Sequence, residues 1–219
     1  MKNEKYMRNK TILIYLILLT SFNSFSEVKT ERNYIPQVGD VLFQSLKFSP
    51  VVFAIEGTTK SPYSHCGILT KKEGSWLVCE AIGPVKLTPI KTWIKQGRLK
   101  KYDVYRFKEK YSTKLPELIQ EVKKYMGKPY DIMYDFNDKK IYCSELIFKG
   151  FKSVYKEDLG QVVELGELDW KPYEPIIRKI DPTLPLKRKM ITPKHLSEAE
   201  QLKEVYKSID PSTYLGIKN

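Results

Sequence analysis

The most informative stretch of the sequence is Ile141-Tyr142-Cys143-Ser144-Glu145-Leu146-Ile147-Phe148, because the other motifs can be arranged around its cysteine. Apolar residues follow Cys143 at helical spacing, at Ile147, Phe151 and Val154, and predict an amphipathic helix with Cys143 in its first turn. The free amides and positive dipole end of a helix start favour the thiolate form of a cysteine. The stretch therefore indicates a nucleophile. The alternative is a cysteine that merely packs on the same face as Ile147 and Phe151.

The first 26 residues have the pattern of a signal peptide. A basic start at 1–10 precedes a short apolar run at 12–19, and small residues stand at the two positions that a signal peptidase reads in 24–26. We expect cleavage after residue 26, export to the periplasm or the cell exterior, and a single domain over residues 27–219. An uncleaved N-terminal membrane anchor is the alternative, although the apolar run is short for a bilayer span.

Composition narrows the classes of function. The net charge of +12 suits an anionic envelope surface, but the basic residues are dispersed and not interleaved with aromatics, so we expect no nucleic-acid partner. The chain has three cysteines, an odd number that leaves at least one thiol unpaired. It has two histidines, no paired CxxC motif and no glycine-rich phosphate loop, so we expect neither a metal nor a cofactor. The sequence does not indicate an oligomeric state.

The pattern of apolar residues places strands first and helices later. Strands are predicted at 38–44, 64–70, 75–82, 85–88 and 102–107. Helices are predicted at 50–56, 90–96 and 115–126, and a capping box at Ser197 and Glu200 predicts a last helix. The stretch 156–194 is rich in proline and charge and is expected to wrap the core as a long ordered loop.

The two central strands place a histidine beside a carboxylate. If the hairpin loop is the four residues 71–74, His65 lies directly opposite Glu80, at a Cβ separation of about 4.5 to 5.5 Å. A hydrogen bond at that range fixes the imidazole tautomer and stabilises its protonated form. The alternative is a cross-strand polar pair with no chemical role. A loop of one residue more or fewer would place the two side chains on opposite faces.

The remaining cysteines and histidine are weaker candidates. The same count places Cys66 opposite Cys79 on the reverse face of the hairpin. Two packed thiols are favoured there over a disulfide, although the sequence is compatible with either arrangement. Either arrangement leaves Cys143 as the thiol free to react. His195 has no evident carboxylate partner and is interpreted as a surface or packing residue.

Five short motifs, taken in order, resemble a known family. They are Gly39-Asp40-Val41-Leu42-Phe43-Gln44, Ser61-Pro62-Tyr63-Ser64-His65-Cys66-Gly67-Ile68, Glu80-Ala81, Gly127-Lys128-Pro129-Tyr130-Asp131 and Tyr142-Cys143-Ser144-Glu145-Leu146. Over residues 37–155 this order is similar to that of the YiiX/YebB-like permuted papain-fold cysteine hydrolases, relatives of the NlpC-type peptidases and of lecithin:retinol acyltransferase-like proteins. The resemblance implies an α+β fold, a circularly permuted papain-like (NlpC-type) fold whose antiparallel sheet packs against helices that include the nucleophile helix. It also implies Cys143 as nucleophile, His65 as base and Glu80 as the orienting residue.

These observations predict an exported cysteine hydrolase that cleaves an amide through a thioester acyl-enzyme. The backbone amide of Cys143 is expected to hold the oxyanion, with Tyr63 or Gln44 as a second donor and Tyr130 as a further substrate contact. A hydrophobic cleft lined by Phe43, Phe53, Tyr63 and Tyr130 would favour a lipid-like acyl group. The alternative is that these aromatic residues simply pack in the core, which explains them equally well.

The identity of the bond stays open at this stage. An amide in a peptide or murein stem suits an exported protein, and a fatty-acyl amide or ester suits the acyltransferase-like relatives. Two other classes of function are a lipid acyltransferase or thioesterase of the same fold and a basic, non-catalytic module that binds the cell envelope.

Overall fold

A six-stranded antiparallel sheet is the centre of the fold. The strands in chain order are β1 (Val41–Gln44), β2 (His65–Lys72), β3 (Ser75–Ala81), β4 (Val85–Pro89), β5 (Asp103–Phe107), β6 (Val163–Glu164), β7 (Lys189–Met190) and β8 (Leu202–Tyr206). The large sheet has the order β4-β3-β2-β1-β5-β8, and β6 pairs with β7 as a separate ribbon. This computed structural model describes residues 34–213, so the predicted signal peptide lies outside the described residues.

Within residues 34–213, six α-helices and several short 3₁₀ turns connect the strands. The helices are α1 (Pro50–Thr59), α2 (Ile90–Gln96), α3 (Leu115–Lys123), α4 (Cys143–Tyr155), α5 (Glu174–Ile180) and α6 (Pro193–Ser197). The 3₁₀ turns are Arg98–Lys100, Glu109–Lys114, Leu165–Glu167, Lys171–Tyr173 and Pro211–Thr213. None of the helices within 34–213 has the length and apolarity that a membrane crossing requires.

The two faces of the large sheet bury different residues because strand side chains alternate. One face packs against α3 and α4 in the larger core, with buried residues that include Phe43, Cys66, Ile68, Val122, Ile147 and Phe151. The other face packs against α2 in a smaller core of Leu42, Leu69, Val78, Trp93 and Val104. Neighbouring residues of β2 therefore serve opposite faces. Cys66 faces α4, and His65 packs beside Trp93.

The β2–β3 hairpin differs from its prediction in loop length. Its turn is the two residues Glu73 and Gly74, with φ of 50° and 80°, a combination typical of the tight turns that match strand twist. The register runs from Lys72 opposite Ser75 to Ile68 opposite Cys79. The predicted four-residue loop is therefore wrong by two residues, because both lysines before the turn remain in the strand.

This register changes both of the predicted cross-strand pairs. Continued to the start of β2, it places Gly67 opposite Glu80, so His65 is displaced by two residues along the strand. A shift of two preserves the face of every side chain, whereas a shift of one would have inverted it. The predicted opposition of Cys66 and Cys79 is wrong for the same reason. Both thiols are free and buried, as the packed-thiol alternative required.

The C-terminal part of the described chain departs from its prediction. The expected last helix is wrong, because Leu202–Tyr206 forms β8 on the exposed edge of β5. Thr192, and not Ser197, caps the preceding helix by accepting a hydrogen bond from the His195 amide at 3.3 Å. The stretch 156–194 is also more structured than a loop, since it contains β6, α5, β7 and two 3₁₀ turns.

Candidate active site

Cys143 is the first residue of α4, and its sulfur contacts residues at the start of β2. The side chain is 2% exposed. A hydrogen bond from the Cys66 thiol contributes most to lowering the pKa of Cys143 well below that of a free thiol. Burial opposes this change, and hydrogen bonding and charge attraction from His65 add to it, together with a hydrogen bond from the Cys66 backbone. The geometry therefore favours a thiolate at this position.

His65 connects that sulfur to a buried carboxylate. Its Nε2 lies 2.6 Å from Oε2 of Glu80, and the histidine is 2% exposed. Burial opposes a charged ring, but the hydrogen bonds to Cys143 and Glu80 outweigh burial and raise the pKa of His65 to about 9. Because Glu80 occupies Nε2, the nitrogen left for the sulfur is Nδ1. The expected resting state is a thiolate–imidazolium pair.

Both carboxylate oxygens of Glu80 take part in hydrogen bonds. Oε2 faces His65, and Oε1 accepts hydrogen bonds from the Thr88 hydroxyl at 2.5 Å and from Nε2 of Gln96 at 3.3 Å. Burial alone would raise the pKa of this fully buried carboxyl, but the hydrogen bond from His65 and the one from Thr88 lower it. Glu80 therefore stays ionised at neutral pH and fixes the orientation of the imidazole.

Gly67 keeps the space between the strands open at this pair. A Cβ atom at this position would lie 2.4 Å from Cγ1 of Val78 and 3.4 Å from Cβ of Glu80. Real Cβ atoms do not approach a neighbour so closely. The absence of a side chain at Gly67 thus leaves room for Val78 and for the diagonal hydrogen bond between His65 and Glu80.

The three predicted substrate or oxyanion contacts have different surroundings. The hydroxyl of Tyr63 donates to Oδ2 of Asp103 at 2.6 Å, so its proton is already used within the fold. Gln44 pairs with His65 across β1 and β2, is fully buried, and has no hydrogen bond from either side-chain atom in the described part of the chain. Tyr130 lies close enough to Cys143 for the thiolate charge to raise the pKa of its hydroxyl, after the larger effects of burial and Tyr134.

An apolar cavity of about 100 Å³ opens beside the sulfur. Apolar side chains from α1, from the loop after Pro129 and from the stretch 165–193 line it, including Val51, Ala54, Ile55, Ile132, Leu165, Leu168, Ile177, Ile180, Met190 and Ile191. The lining also contains Cys143 and Ser144. Cys143 therefore borders an apolar cavity as well as the sheet.

The predicted aromatic lining of the cleft is wrong. Phe43 and Tyr63 pack against each other with ring centroids 5.2 Å apart in the larger core. Phe53 packs edge-on against Tyr173, and Tyr130 contacts Tyr134. Of these aromatic residues, only Tyr134 lines the cavity. The other rings pack between secondary-structure elements. The sequence alone does not distinguish aromatic residues that pack in this way from aromatic residues that line a cleft.

Several contributors to the site were not anticipated. Cys66 was expected to point away from the polar pair, and it does, but that orientation turns its thiol toward Cys143. Thr88 shares a sheet face with Glu80, which the alternation of the predicted strand 85–88 could have shown. His195 lies outside the site, as expected, and its Nδ1 contacts the Thr192 hydroxyl at 2.7 Å.

Comparisons with known proteins identify a family and related chains. A family described as "Permuted papain-like amidase enzyme, YaeF/YiiX, C92 family" matches residues 35–206. The uncharacterized protein YiiX of Escherichia coli (strain K12) is 33% identical over 205 residues, covering 92% of this chain and 96% of that protein. The crystal structure of metalloprotein yiiX from Escherichia coli O157:H7 has a TM-score of 0.75 and 34% identity, over 80% of this chain and 99% of that one. The predicted α+β permuted papain-like fold is thereby confirmed.

The description of that crystal structure raises the question of a metal. Within residues 34–213, no three His, Cys, Asp or Glu side chains are arranged so that they could hold a metal ion. The donor groups at this point are the Cys143 sulfur, the Cys66 thiol and His65, and the second nitrogen of His65 is held by Glu80. These residues do not fit a metal centre.

Proposed function

The chain belongs to the YaeF/YiiX family of permuted papain-like amidases, and from this membership we propose that Cys143, His65 and Glu80 form its catalytic triad. The family supports a cysteine amidase or peptidase-like hydrolase. The observation that carries the triad is the continuous contact from the Cys143 sulfur through the His65 ring to Glu80, whose last link is 2.6 Å. Each member is buried, so its charge is stabilised by the other two rather than by water.

The first half of the reaction forms an acyl-enzyme. The Cys143 thiolate attacks the carbonyl carbon of an amide, and the negative charge passes to the carbonyl oxygen. The backbone N–H of Cys143 at the start of α4 donates to that oxygen, and the unpartnered amide of Gln44 is the proposed second donor. The tetrahedral intermediate collapses as the His65 imidazolium gives its proton to the leaving nitrogen. The products of this half are a free amine and a thioester on Cys143.

The second half releases the acyl group. His65 is now neutral and accepts a proton from a water molecule, whose oxygen attacks the thioester carbon. The C–S bond breaks, the sulfur leaves as a thiolate, and a carboxylic acid is released. Glu80 holds Nε2 throughout and stabilises the ring each time it carries charge.

We also propose that the enzyme acts outside the cytoplasm. The support for this location is the basic and apolar pattern of residues 1–26. Reporter fusion to residues 1–26, followed by fractionation, tests the location separately from the chemistry. Recovery of the fusion in the cytoplasm at its full unprocessed mass would refute export without affecting the triad.

A labelling experiment tests the triad. Wild-type protein is treated with iodoacetamide at neutral pH, and the modified residue is identified by mass spectrometry. Rapid alkylation of Cys143, with little at Cys66 or Cys79, is the expected result. Cys143→Ala should lose both labelling and amide hydrolysis, and Cys79→Ala serves as the matched control because it removes a buried thiol away from the sulfur. Hydrolysis by Cys143→Ala at the wild-type rate would refute the proposal.

A further inference from the structure

The turn at 97–101, directly after α2, presents an apolar side chain on a strained backbone. Leu99 has φ of 55° and ψ of 11°, and Lys100 has φ of 56°. Two consecutive residues therefore lie in the left-handed region, which bulky side chains disfavour. Leu99 is 67% exposed, so burial in the core does not compensate for the strain. Strain that packing does not explain is characteristic of segments that bind a partner.

Hydrogen bonds hold this turn in place. The amide of Arg98 donates to the Ser45 carbonyl at 2.7 Å, and its guanidinium donates to Oε2 of Glu56 at 3.0 Å. Two further bonds of 3.2 Å close the turn itself, from the amides of Lys100 and Lys101. The exposed leucine thus lies on a preorganised turn, and binding through it has little additional chain to order.

A second exposed apolar side chain lies on the neighbouring segment. Leu46 forms an isolated antiparallel bridge with Gly97, so residues 46–48 run beside the end of α2. Phe48 on this segment is 63% exposed. Both apolar side chains protrude near the end of β1, and they do not line a groove. A protrusion of this kind suits insertion into a soft interface better than docking of a folded protein, which needs a broad complementary surface.

The surface around the turn is basic and has no acidic side chains of its own. Residues 81–102 contain no aspartate or glutamate. Five lysines in this range are exposed: Lys86, Lys91, Lys95, Lys100 and Lys101. None of the five pairs with a carboxylate in the described range 34–213. These like charges attract an anionic partner.

The helix α2 separates its charged side from its apolar side. Lys91 and Lys95 are four residues apart and share the exposed side, whereas Trp93 packs inward in the smaller core. Lysines beside exposed apolar residues match a bilayer interface, where the ammonium groups meet lipid phosphates and the apolar side chains enter below them. A surface for single-stranded nucleic acid would instead present aromatic rings on which bases stack.

We propose that the turn 97–101, the exposed side of α2 and Phe48 form a docking surface for anionic lipid bilayers. Leu99 and Phe48 enter the interface, and Lys91, Lys95, Lys100 and Lys101 contact lipid phosphate groups. The docking surface adjoins the candidate active site, because Gln96 at the end of α2 donates to Glu80 at 3.3 Å. Its tests measure binding, so they do not depend on the proposed triad.

A tryptophan at the turn reports on insertion locally. Leu99→Trp is mixed with vesicles of brominated phosphatidylcholine and phosphatidylglycerol, whose bromine atoms quench tryptophan within the bilayer. Quenching beyond that of wild type is the expected result. Wild-type protein supplies the background, because its three tryptophans are Trp76, Trp93 and Trp170 and none lies in residues 1–26. Absence of additional quenching would overturn the proposal.

Asparagine at the same position separates binding from folding. Leu99→Asn removes the apolar group and keeps the turn, because asparagine adopts the left-handed conformation more readily than leucine. Its midpoint of urea unfolding should match or exceed that of wild type. Its partition coefficient on vesicles of phosphatidylcholine and phosphatidylglycerol should fall about fivefold or more. Binding equal to wild type would refute a role for the leucine.

Two pairs of lysines test the position of the docking surface. Lys100→Glu with Lys101→Glu reverses two charges in the turn, and the partition coefficient should fall at least about tenfold. Lys71→Glu with Lys72→Glu makes the same change of net charge at the far end of β2, about 20 Å away along the strand, and should change binding little. Residues 1–26 are the same in both variants. An equal loss in both would show that net charge alone attracts the protein, and would overturn the assignment.

The lipid composition tests the chemistry of the partner. Wild-type binding should weaken strongly on pure phosphatidylcholine vesicles, and it should weaken on anionic vesicles as salt is raised to 0.5 M. Equal binding to neutral and anionic vesicles would refute the role of the lysines. No binding to either kind of vesicle would refute the membrane, and would favour an acidic protein as the partner of this surface.

Discussion

The β2–β3 hairpin and the stretch 157–193 both border Cys143, but they contribute different kinds of side chain. The hairpin contributes His65 and Glu80, two charged residues fixed by strand alternation and a hydrogen bond of 2.6 Å. The stretch 157–193 contributes apolar side chains from short elements joined by turns. Changes in the hairpin should therefore alter reactivity and its pH dependence. Changes in the stretch should alter stability and leave that pH dependence unchanged.

Removal of the histidine should give the largest effect. His65→Gln removes the proton carrier and the partner of the thiolate, so kcat for amide hydrolysis should fall by at least about 10⁴-fold. The KM should change little, since the cavity is untouched. Steady-state kinetics measures both values, and circular dichroism checks that the variant is folded. A fall confined to KM would place His65 in substrate binding instead.

Neutralising the Glu80 carboxylate should lower kcat less than removal of His65 does, and it should change the pH dependence of the activity. Glu80→Gln keeps a hydrogen-bonding side chain but removes the charge that stabilises the imidazolium, and a loss of about 10²-fold in kcat is expected. Because the pKa of His65 is raised to about 9, wild-type activity should fall as pH rises through about 9. In the variant this alkaline limb should move to lower pH.

The same titration has a consequence for stability. A protonated His65 stabilises the fold fully below its unfolded pKa of about 6.5, and that contribution is lost as pH rises through about 9. Urea unfolding at several pH values measures this loss. Wild-type protein and Glu80→Gln should differ in the pH at which it occurs, and identical profiles would contradict the assigned role of Glu80.

A change in the cavity wall should lower the stability of the fold and leave the pKa of Cys143 unchanged. Arg188→Met leaves Asp181 without its cation, and the free energy of unfolding should fall because the carboxylate loses its ion pair. The pH dependence of Cys143 alkylation should match that of wild type. A shifted alkylation profile would show that the wall and the hairpin are coupled.

The smallest effect is expected from the second cysteine. Cys66→Ala removes the hydrogen bond that contributes most to the low pKa of Cys143, so this pKa should rise. Alkylation at acidic pH should slow a few-fold, with little change at pH 8. Cys79→Ala is the control, because its thiol does not contribute to the pKa of Cys143. An identical shift in both variants would indicate a general disturbance of the sheet.

The hairpin shows how far strand patterns carry a prediction. Alternation placed His65 and Glu80 on one face correctly, because the face depends only on whether the shift in register is odd or even. The register itself was wrong by two residues, because Glu73 and Gly74 both adopt positive φ and form a shorter turn than the residue types Lys71 to Gly74 suggested. Cys143 at the start of a 13-residue helix was predicted from apolar spacing alone.

The stretch 157–193 shows where such patterns fail. Its strands β6 and β7 are two residues long, too short for alternation to be recognised. Similarly, β8 is a strand because the edge of β5 offers it hydrogen bonds, a tertiary cause that a capping box at Ser197 cannot reveal. The cavity depends on how these pieces pack, so its lining could not be predicted from the sequence.

The contacts that acidify Cys143 come from the start of β2, far earlier in the sequence than the helix that carries the sulfur. An unfolded chain therefore holds three ordinary thiols, which are mostly protonated at neutral pH and slow to oxidise. The reactive form arises only when α4 docks on the sheet. The acidity of the Cys143 thiol thus depends on completed folding, and a newly made or refolding molecule does not carry this thiolate until the sheet and the helix are in contact.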